Sequence, residues 1–190
     1  MSDTQTDFIM DVERLRREAR KEIENGAVTP EYRANRDTVL KLLDSALATE
    51  WVCVLRYTQH AIAATGITSE AVAAEFAEHA DDEREHARRL AERIMQLGGT
   101  PNLDPSSAAT RSQTEYRQAD DLVTMIRENL IAERIVIEGY GEMIRYVGDK
   151  DPTTRRLLEW ILGEEEEHAD ALSDLLTTDF GKPMTEQRKH

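Results

Sequence analysis

The sequence predicts an all-α protein: a four-helix bundle with one long crossover, an extra helix in front and no fifth helix behind. Four observations carry this. Ala, Leu, Glu and Arg abound, and all are strong helix formers. The 190 residues hold only nine Gly, five Pro and 5% aromatic side chains, little material for turn-rich β structure. The few breakers fall so that four long segments stand uninterrupted. Within each segment apolar residues recur at spacings of three and four.

The elements follow in order. Residues 5–25 form a short, highly charged extra helix. Thr29-Pro30 reads as an N-cap with Pro at the first helical position, and Gly66 ends that long segment. Thr68-Ser69-Glu70 opens the second helix, and Gly98-Gly99 with Pro101 stops it. Residues 100–118, with two prolines and many Ser, Thr and Asn, read as a long crossover loop. The third helix runs from Ala119 to Val147 and is closed by Gly148. Asp151-Pro152 opens the fourth, which runs out near Thr177 before Gly181 and Pro183. The expected division is an extension over 1–29, the bundle over 30–178 and a short polar tail over 179–190.

Composition narrows the function. One cysteine, Cys53, excludes an intramolecular disulfide framework and any CxxC metal site. No apolar run approaches the ~18 residues of a membrane span. The start Met1-Ser-Asp-Thr-Gln-Thr-Asp lacks the features of a secretory signal, so a cytoplasmic setting is expected. With 24 Lys+Arg against 38 Asp+Glu the net charge is 24 − 38 = −14, which argues against sequence-independent nucleic-acid binding.

The seams contain carboxylates. The first helix lines up Leu40, Leu43, Leu47, Glu50, Val54, Tyr57 and Ala61. The second lines up Val72, Phe76, His79, Glu83, His86, Leu90, Ile94 and Leu97. The third gives Leu122, Ile126, Glu133, Ile137, Tyr140, Ile144 and Val147, and the fourth Leu158, Ile161, Glu165, His168, Leu172 and Leu175. Each seam carries a Glu near its middle, and two add a His three residues later, on the same helix face. Four carboxylates in one core repel each other strongly unless cations neutralise them. Carboxylate and imidazole together suit iron, manganese or zinc.

Chance matters here. With 23 Glu and five His in the chain, Glu-x-x-His arises about 0.6 times at random, so two occurrences alone are mild evidence. An acidic run is ordinarily a solvated face, and Asp81, Asp82, Glu85, Glu164, Glu166 and Glu167 are read that way. The register of the six seam residues between apolar neighbours sets them apart. Tyr57 and Tyr140 serve as hydrogen-bond partners of ligand carboxylates or as core packing. His79 is read as a core histidine, His60 as off-seam, Cys53 as a small buried hydrophobe, and Trp51 and Trp160 as interface or groove packing.

The halves also repeat. LATEWVCVLRY (47–57) aligns with LIAERIVIEGY (130–140), and DEREHA (82–87) with EEEEHA (164–169). The offsets agree, 133 − 50 = 83 and 165 − 83 = 82. Two helix pairs, each supplying one Glu and one Glu-x-x-His, make the di-metal carboxylate pattern.

Residues 38–177, through ALATEWVCVLRYTQHA, EHADDEREHARRLAERIMQLGGTPNL, NLIAERIVIEGYGEMI and RRLLEWILGEEEEHADAL, resemble the bacterioferritin branch of the ferritin-like superfamily. The resemblance implies a ferritin-like four-helix bundle in which Glu50, Glu83, His86, Glu133, Glu165 and His168 hold two Fe (Mn or Zn as substitutes). It implies metal-bridging roles for Glu83 and Glu133, terminal roles for Glu50 and Glu165, and Tyr57 beside the metal pair. Arg84 stands where the branch's haem-binding Met would be, so haem is not expected. The tail from Asp179 is too short and polar for the fifth helix of 24-subunit shells. That departure is similar to the Dps-like, thioferritin-type group with 12-subunit shells, although Cys53 alone does not reproduce that group's cysteine pair. The implied function is a ferroxidase that oxidises Fe²⁺ with O₂ or H₂O₂ and stores iron inside a homo-oligomeric shell, a 12-mer or else a 24-mer. A Dps-type DNA-protecting protein and a manganese catalase-like peroxide scavenger are the alternatives. Arg14, Arg16, Arg17, Arg20 and Lys21 would serve DNA, but interleaved glutamates and the acidic chain count against it.

Overall fold

The computed structural model describes residues 9–66 and 69–178. Its elements are α1 (Val12–Glu18), a 3-10 turn (Ile23–Asn25), α2 (Arg36–Ala63), α3 (Ser69–Gln96), α4 (Pro105–Arg111), α5 (Leu122–Val147) and α6 (Pro152–Thr178). The pairs α2/α3 and α5/α6 pack along each other, and the two pairs join face to face to close the bundle. Among the described residues no helix is long and apolar enough to cross a membrane.

Three of the four long helices start at a side-chain cap. Asn35 caps α2 by accepting from Thr38 N at 3.0 Å, Asp121 caps α5 through Thr124 N at 2.9 Å, and Asp151 caps α6 through Thr154 N at 2.9 Å. The first long helix therefore begins six residues after the expected Pro30. Thr29 and Pro30 belong instead to a turn in which Tyr32 N donates to Thr29 O. At the end of α3, Gly99 N reaches Ile94 O and Gly98 N reaches Met95 O, both at 2.9 Å. Gly98 takes the left-handed φ of +72° that this Schellman ending requires.

Two further expectations change. The crossover is not a plain loop: it contains α4, capped by Asp104 with Pro105 at the first turn. This stretch straps α2, with Ser45 Oγ donating to Arg111 O, Arg111 Nη1 meeting Asp44 Oδ2 at 3.0 Å, and Gln113 N donating to Thr49 Oγ1. The front helix is shorter than 5–25, since Val12–Glu18 alone is α-helical in the described part and buries none of its residues. Residues 5–8 of it lie outside the described residues, as do the polar tail 179–190 and the expectation of no fifth helix.

The core runs the length of the bundle through Val39, Leu43, Leu47, Phe76, Leu90, Ile94, Ile126, Val136, Leu158, Ile161 and Leu172. Every position of the expected second seam, from Val72 to Leu97, is buried. In α5 the buried face also includes Asn129, one turn before Glu133. A second buried polar knot locks the ends: Arg93 meets Asp151 at 2.9 Å and donates to Thr154 Oγ1, and Tyr32 OH donates to Asp151 at 2.7 Å. It ties the segment before α2 to the α5–α6 turn.

Candidate metal centre

Midway along the bundle the apolar seams give way to Glu50 from α2, Glu83 and His86 from α3, Glu133 from α5, and Glu165 and His168 from α6. The four carboxyl side chains and His86 are fully buried, and His168 is nearly so. All six sequence-predicted residues come together, in two groups whose ligand atoms lie within 4.8 Å of one another. One is Glu50, Glu83, His86 and Glu165; the other is Glu83, Glu133, Glu165 and His168.

Glu83 and Glu165 are common to both groups, while Glu50 and Glu133 each belong to one. The resemblance implied Glu83 and Glu133 as the bridging pair, whereas the residues common to both groups are Glu83 and Glu165. The internal repeat explains why: it relates Glu83 to Glu165, so a shared pair that respects the pseudo-twofold must be these two. The expected pairing of Glu83 with Glu133 breaks that symmetry.

Both imidazoles turn Nδ1 inward. His86 Nδ1 lies 3.0 Å from Glu165 Oε1, 3.2 Å from Glu83 Oε2 and 3.6 Å from Glu50 Oε2. His168 Nδ1 lies 3.5 Å from Glu165 and 4.0 Å from Glu83. The outer nitrogens are held by carboxylates of the opposite helix pair. His86 Nε2 meets Glu164 Oε2 at 2.7 Å, and His168 Nε2 meets Asp82 Oδ2 at 3.3 Å. Asp82 and Glu164 are thus not simply part of a solvated face. Asp81, Glu166 and Glu167 are exposed, and Glu85 pairs with Arg88 and Arg89.

The tyrosines obey the same crossing. Tyr57 OH donates to Glu133 Oε1, and Tyr140 OH donates to Glu50 Oε1. Each follows its own helix's glutamate by seven residues but holds the glutamate of the other pair. Both uses open to these tyrosines are realised: each hydroxyl binds a site carboxylate while its ring is packed in the core. All four supporting hydrogen bonds therefore connect α2/α3 to α5/α6.

Electrostatics set the protons. Burial, with Glu165, Glu50 and Glu133 alongside, pushes the Glu83 carboxyl well above its ordinary range. Burial and Glu165 do the same to Glu133. Burial also acts against ionisation of Glu165, but hydrogen bonds to His168 and His86 outweigh it and hold this carboxyl below its ordinary value. Burial opposes charge on His86, yet Glu165, Glu50 and Glu83 raise its pKa, and Glu165 raises that of His168. Without cations the cluster is a set of shared protons around an imidazolium–carboxylate pair.

Those contacts leave atoms over. Glu50 Oε2, Glu83 Oε1 and Glu133 Oε2 are buried and accept no hydrogen bond among the described residues, and the Glu165 oxygens and His168 Nδ1 have only the imidazole–carboxylate contacts within the cluster. Such orphans are costly in an apolar interior. These atoms belong to the six residues of the two groups, while Trp51, Gln59, His60, His79 and Asn129 each bury one unpartnered atom as well, and four carboxylates with two imidazoles would balance two divalent ions at net zero. The donor set fits a pair of borderline or hard cations.

Several neighbours were not legible or were misread. His79 is a core histidine as expected, pushed down to about 3 by burial and then by His168, and its ring stacks on His168 at 4.0 Å. His60 is not off-seam: it is buried, its Nδ1 3.3 Å from Asn129 Oδ1. Trp160 meets His86 edge-on with ring centroids 5.4 Å apart, and the guanidinium of Arg89 lies over its ring at 4.0 Å, so it also packs against the site. Trp51 does line an outer groove, with Ala87, Ala91, Met95, Pro101 and Leu103. Cys53 is fully buried, with Arg56 Nη2 3.4 Å from its sulfur. Arg56 itself gave no sequence signal beyond being one charged residue in a helix interior.

Comparisons with known proteins identify the family. A family model described as a ferritin-like domain matches residues 40–179. The DNA protection during starvation protein of Pyrococcus furiosus is 32% identical over 156 residues, 80% of this chain and 83% of its own. A bacterioferritin of Mycobacterium tuberculosis is 31% identical over 139 residues, 73% of this chain and 83% of its own. Among solved structures, a dodecameric thioferritin related to bacterioferritin, from Bacteroides fragilis, superposes with a TM-score of 0.74 at 35% identity, covering 76% of this chain and 88% of that one.

Proposed function

Because this chain belongs to the ferritin-like domain family, we propose that it is a ferroxidase, oxidising Fe²⁺ with O₂ or H₂O₂ at a dinuclear carboxylate site and storing the product inside a shell of its own copies. The observation that carries this reading is the pair of four-residue groups sharing Glu83 and Glu165, with their orphaned buried oxygens.

Glu50, Glu83, His86 and Glu165 would hold one ion, and Glu83, Glu133, Glu165 and His168 the other. A pair of iron ions supplies two electrons, enough to reduce H₂O₂ to two waters without releasing hydroxyl radical. The chain's own part is placement and proton traffic. Tyr57 and Tyr140 fix one oxygen of Glu133 and Glu50 and leave the other free to ligate. Glu164 and Asp82 fix the outer nitrogens of the imidazoles, so Nδ1 faces the centre. The protons held by Glu83, Glu133 and the imidazoles leave as cations enter. The −14 charge, repeated over a shell, draws Fe²⁺ toward it.

The bundle over 30–178 is the functional unit in this reading, 1–29 an extension and 179–190 a tail, in a cytoplasmic protein. The thioferritin-type likeness favours 12 copies. DNA protection is not part of the proposal: Arg14 pairs with Glu31 at 2.9 Å, Arg16 with Glu13 at 2.7 Å and Lys21 with Glu18 at 2.8 Å, which offsets the basic residues of the front segment.

Anaerobic Fe²⁺ titration tests the core of the proposal. About two Fe²⁺ bind per subunit, and oxidation by O₂ or H₂O₂ falls sharply in Glu133→Ala. A stoichiometry well below two, or an unchanged rate in that variant, refutes it. A native mass of roughly 260 kDa is expected for 12 subunits of 21.6 kDa.

A further inference from the structure

The hydrogen bonds of the centre obey the internal repeat, but its surroundings do not. An offset of 83 pairs Arg56 with Gly139, Cys53 with Val136, His60 with Met143 and Asn129 with Ala46. A buried polar network therefore lies on one side of the pseudo-twofold, opposite small and apolar residues on the other.

Arg56 is the charged member of that network and is 1% exposed. Its Nε donates to Asn129 Oδ1 at 2.8 Å, Nη1 to Glu115 O at 3.3 Å and Nη2 to Cys53 Sγ at 3.4 Å. None of these acceptors is a carboxylate, and among the described residues Arg56 forms no ion pair. A buried guanidinium without a counter-charge is strongly destabilising. Beyond the adjacent Cys53, the carboxylates its charge acts on are those of the metal centre, Glu133 before Glu83. Geometry agrees: Asn129 stands one turn before Glu133 on α5, and the guanidinium carbon lies 5.7 Å from the ring of Tyr57, whose hydroxyl holds Glu133. At the mate position, Gly139 carries no side chain, and the neutral amide of Gln113 takes up the space one would need.

We propose that Arg56 makes the two metal positions unequal. Its fixed charge weakens cation binding in the Glu133–His168 group, so the Glu50–His86 group fills first. The inference rests on the dinuclear reading above. Repulsion between a unit charge and a divalent ion falls inversely with distance, so the nearer ion bears more of it. At an effective dielectric of about 20, a few ångströms' difference in distance amounts to about tenfold in affinity.

Anaerobic titration of the full chain with Co²⁺, followed by calorimetry and by the visible absorption of bound cobalt, reads both events without turnover. The wild type should bind two Co²⁺ with constants about tenfold apart. Glu50→Gln should lose the tighter event and Glu133→Gln the weaker one. In Arg56→Gln the weaker event should move up to meet the tighter one, whereas Arg56→Lys, which keeps the charge, should retain the separation. Circular dichroism checks that Arg56→Gln folds; if it does not, the order of loss in the two glutamate variants decides. Equal constants in the wild type, loss of the tighter event in Glu133→Gln, or an unchanged separation in folded Arg56→Gln would overturn the inference. Failure of the wild type to bind two ions would instead overturn the dinuclear reading, and this inference with it.

Discussion

Removing the Glu164 side chain should weaken metal binding more than removing that of Asp82. Both carboxylates hold the outer nitrogen of an inward-facing histidine, but Glu164 stands 2.7 Å from His86 Nε2 and Asp82 3.3 Å from His168 Nε2. A shorter charge-assisted bond orients its ring more firmly and makes the opposite nitrogen a better donor. Loss of such an outer partner typically lowers metal affinity about 10- to 100-fold, or about 1.4–2.7 kcal/mol. Glu164→Ala should fall within that range, and Asp82→Ala at its lower edge. Neither side chain is in the sealed core, with side-chain exposures of 35% and 46%, so both variants should fold. Competition between the protein and a chelator of known affinity for Zn²⁺ reads the two constants without redox chemistry. An Asp82→Ala loss equal to or larger than that of Glu164→Ala, or a Glu164→Ala affinity within about twofold of wild type, would refute the reasoning.

Tyr57→Phe and Tyr140→Phe each strip a buried glutamate oxygen of its donor without opening a cavity, so each should cost the metal-free protein about 1–3 kcal/mol in urea unfolding. A loss below the error of that measurement would show that water replaces the hydroxyl. The raised carboxyls of Glu83 and Glu133 contribute stability that is present below pH 4.5 and lost as pH rises through their folded values. Raised His86 acts with the same sign from pH 6.5 upward. Above pH 4.5, where the lowered Glu165 no longer changes its contribution, the cluster's contribution to metal-free stability should therefore decline with rising pH while metal affinity climbs, and calorimetry in buffers of different ionisation enthalpy should find protons released on Zn²⁺ binding; heat independent of buffer would contradict it. Asp151→Ala removes the α6 cap and leaves Arg93 buried without its partner, which should cost about 3–5 kcal/mol in chemical denaturation. A cost below about 1 kcal/mol would mean that Arg93 finds another route to solvent.

The sequence carried the site further than it carried the edges of the fold. Glu50, Glu83, His86, Glu133, Glu165 and His168 were legible because polar residues occupied positions that three-and-four spacing reserves for the core. The start of α2 was misplaced because Thr29-Pro30 satisfies the same local rule as Asn35-Arg36, and only the tertiary contacts of Tyr32 choose between them. Helix α4 was hidden by its Ser and Thr content, although Asp104-Pro105 carried the start signal. Asp82 and Glu164 could have been separated from the solvated acids by the repeat, since they align with each other and precede the paired glutamates. Arg56, His60 and Asn129 had no such signal. Their burial depends on satisfying one another across α2 and α5, a relation between distant residues that periodicity does not encode.

The crossing pattern has a consequence for how the halves stay together. Neither α2/α3 nor α5/α6 owns a finished centre: each imidazole leans on an acid from across the interface, and each outlying glutamate on a tyrosine from across it. A chain nicked in the crossover would be left with two hairpins, each bearing half of a clasp. Metal would then act as the rivet, so that its binding energy appears as association of the hairpins and a chelator loosens one from the other.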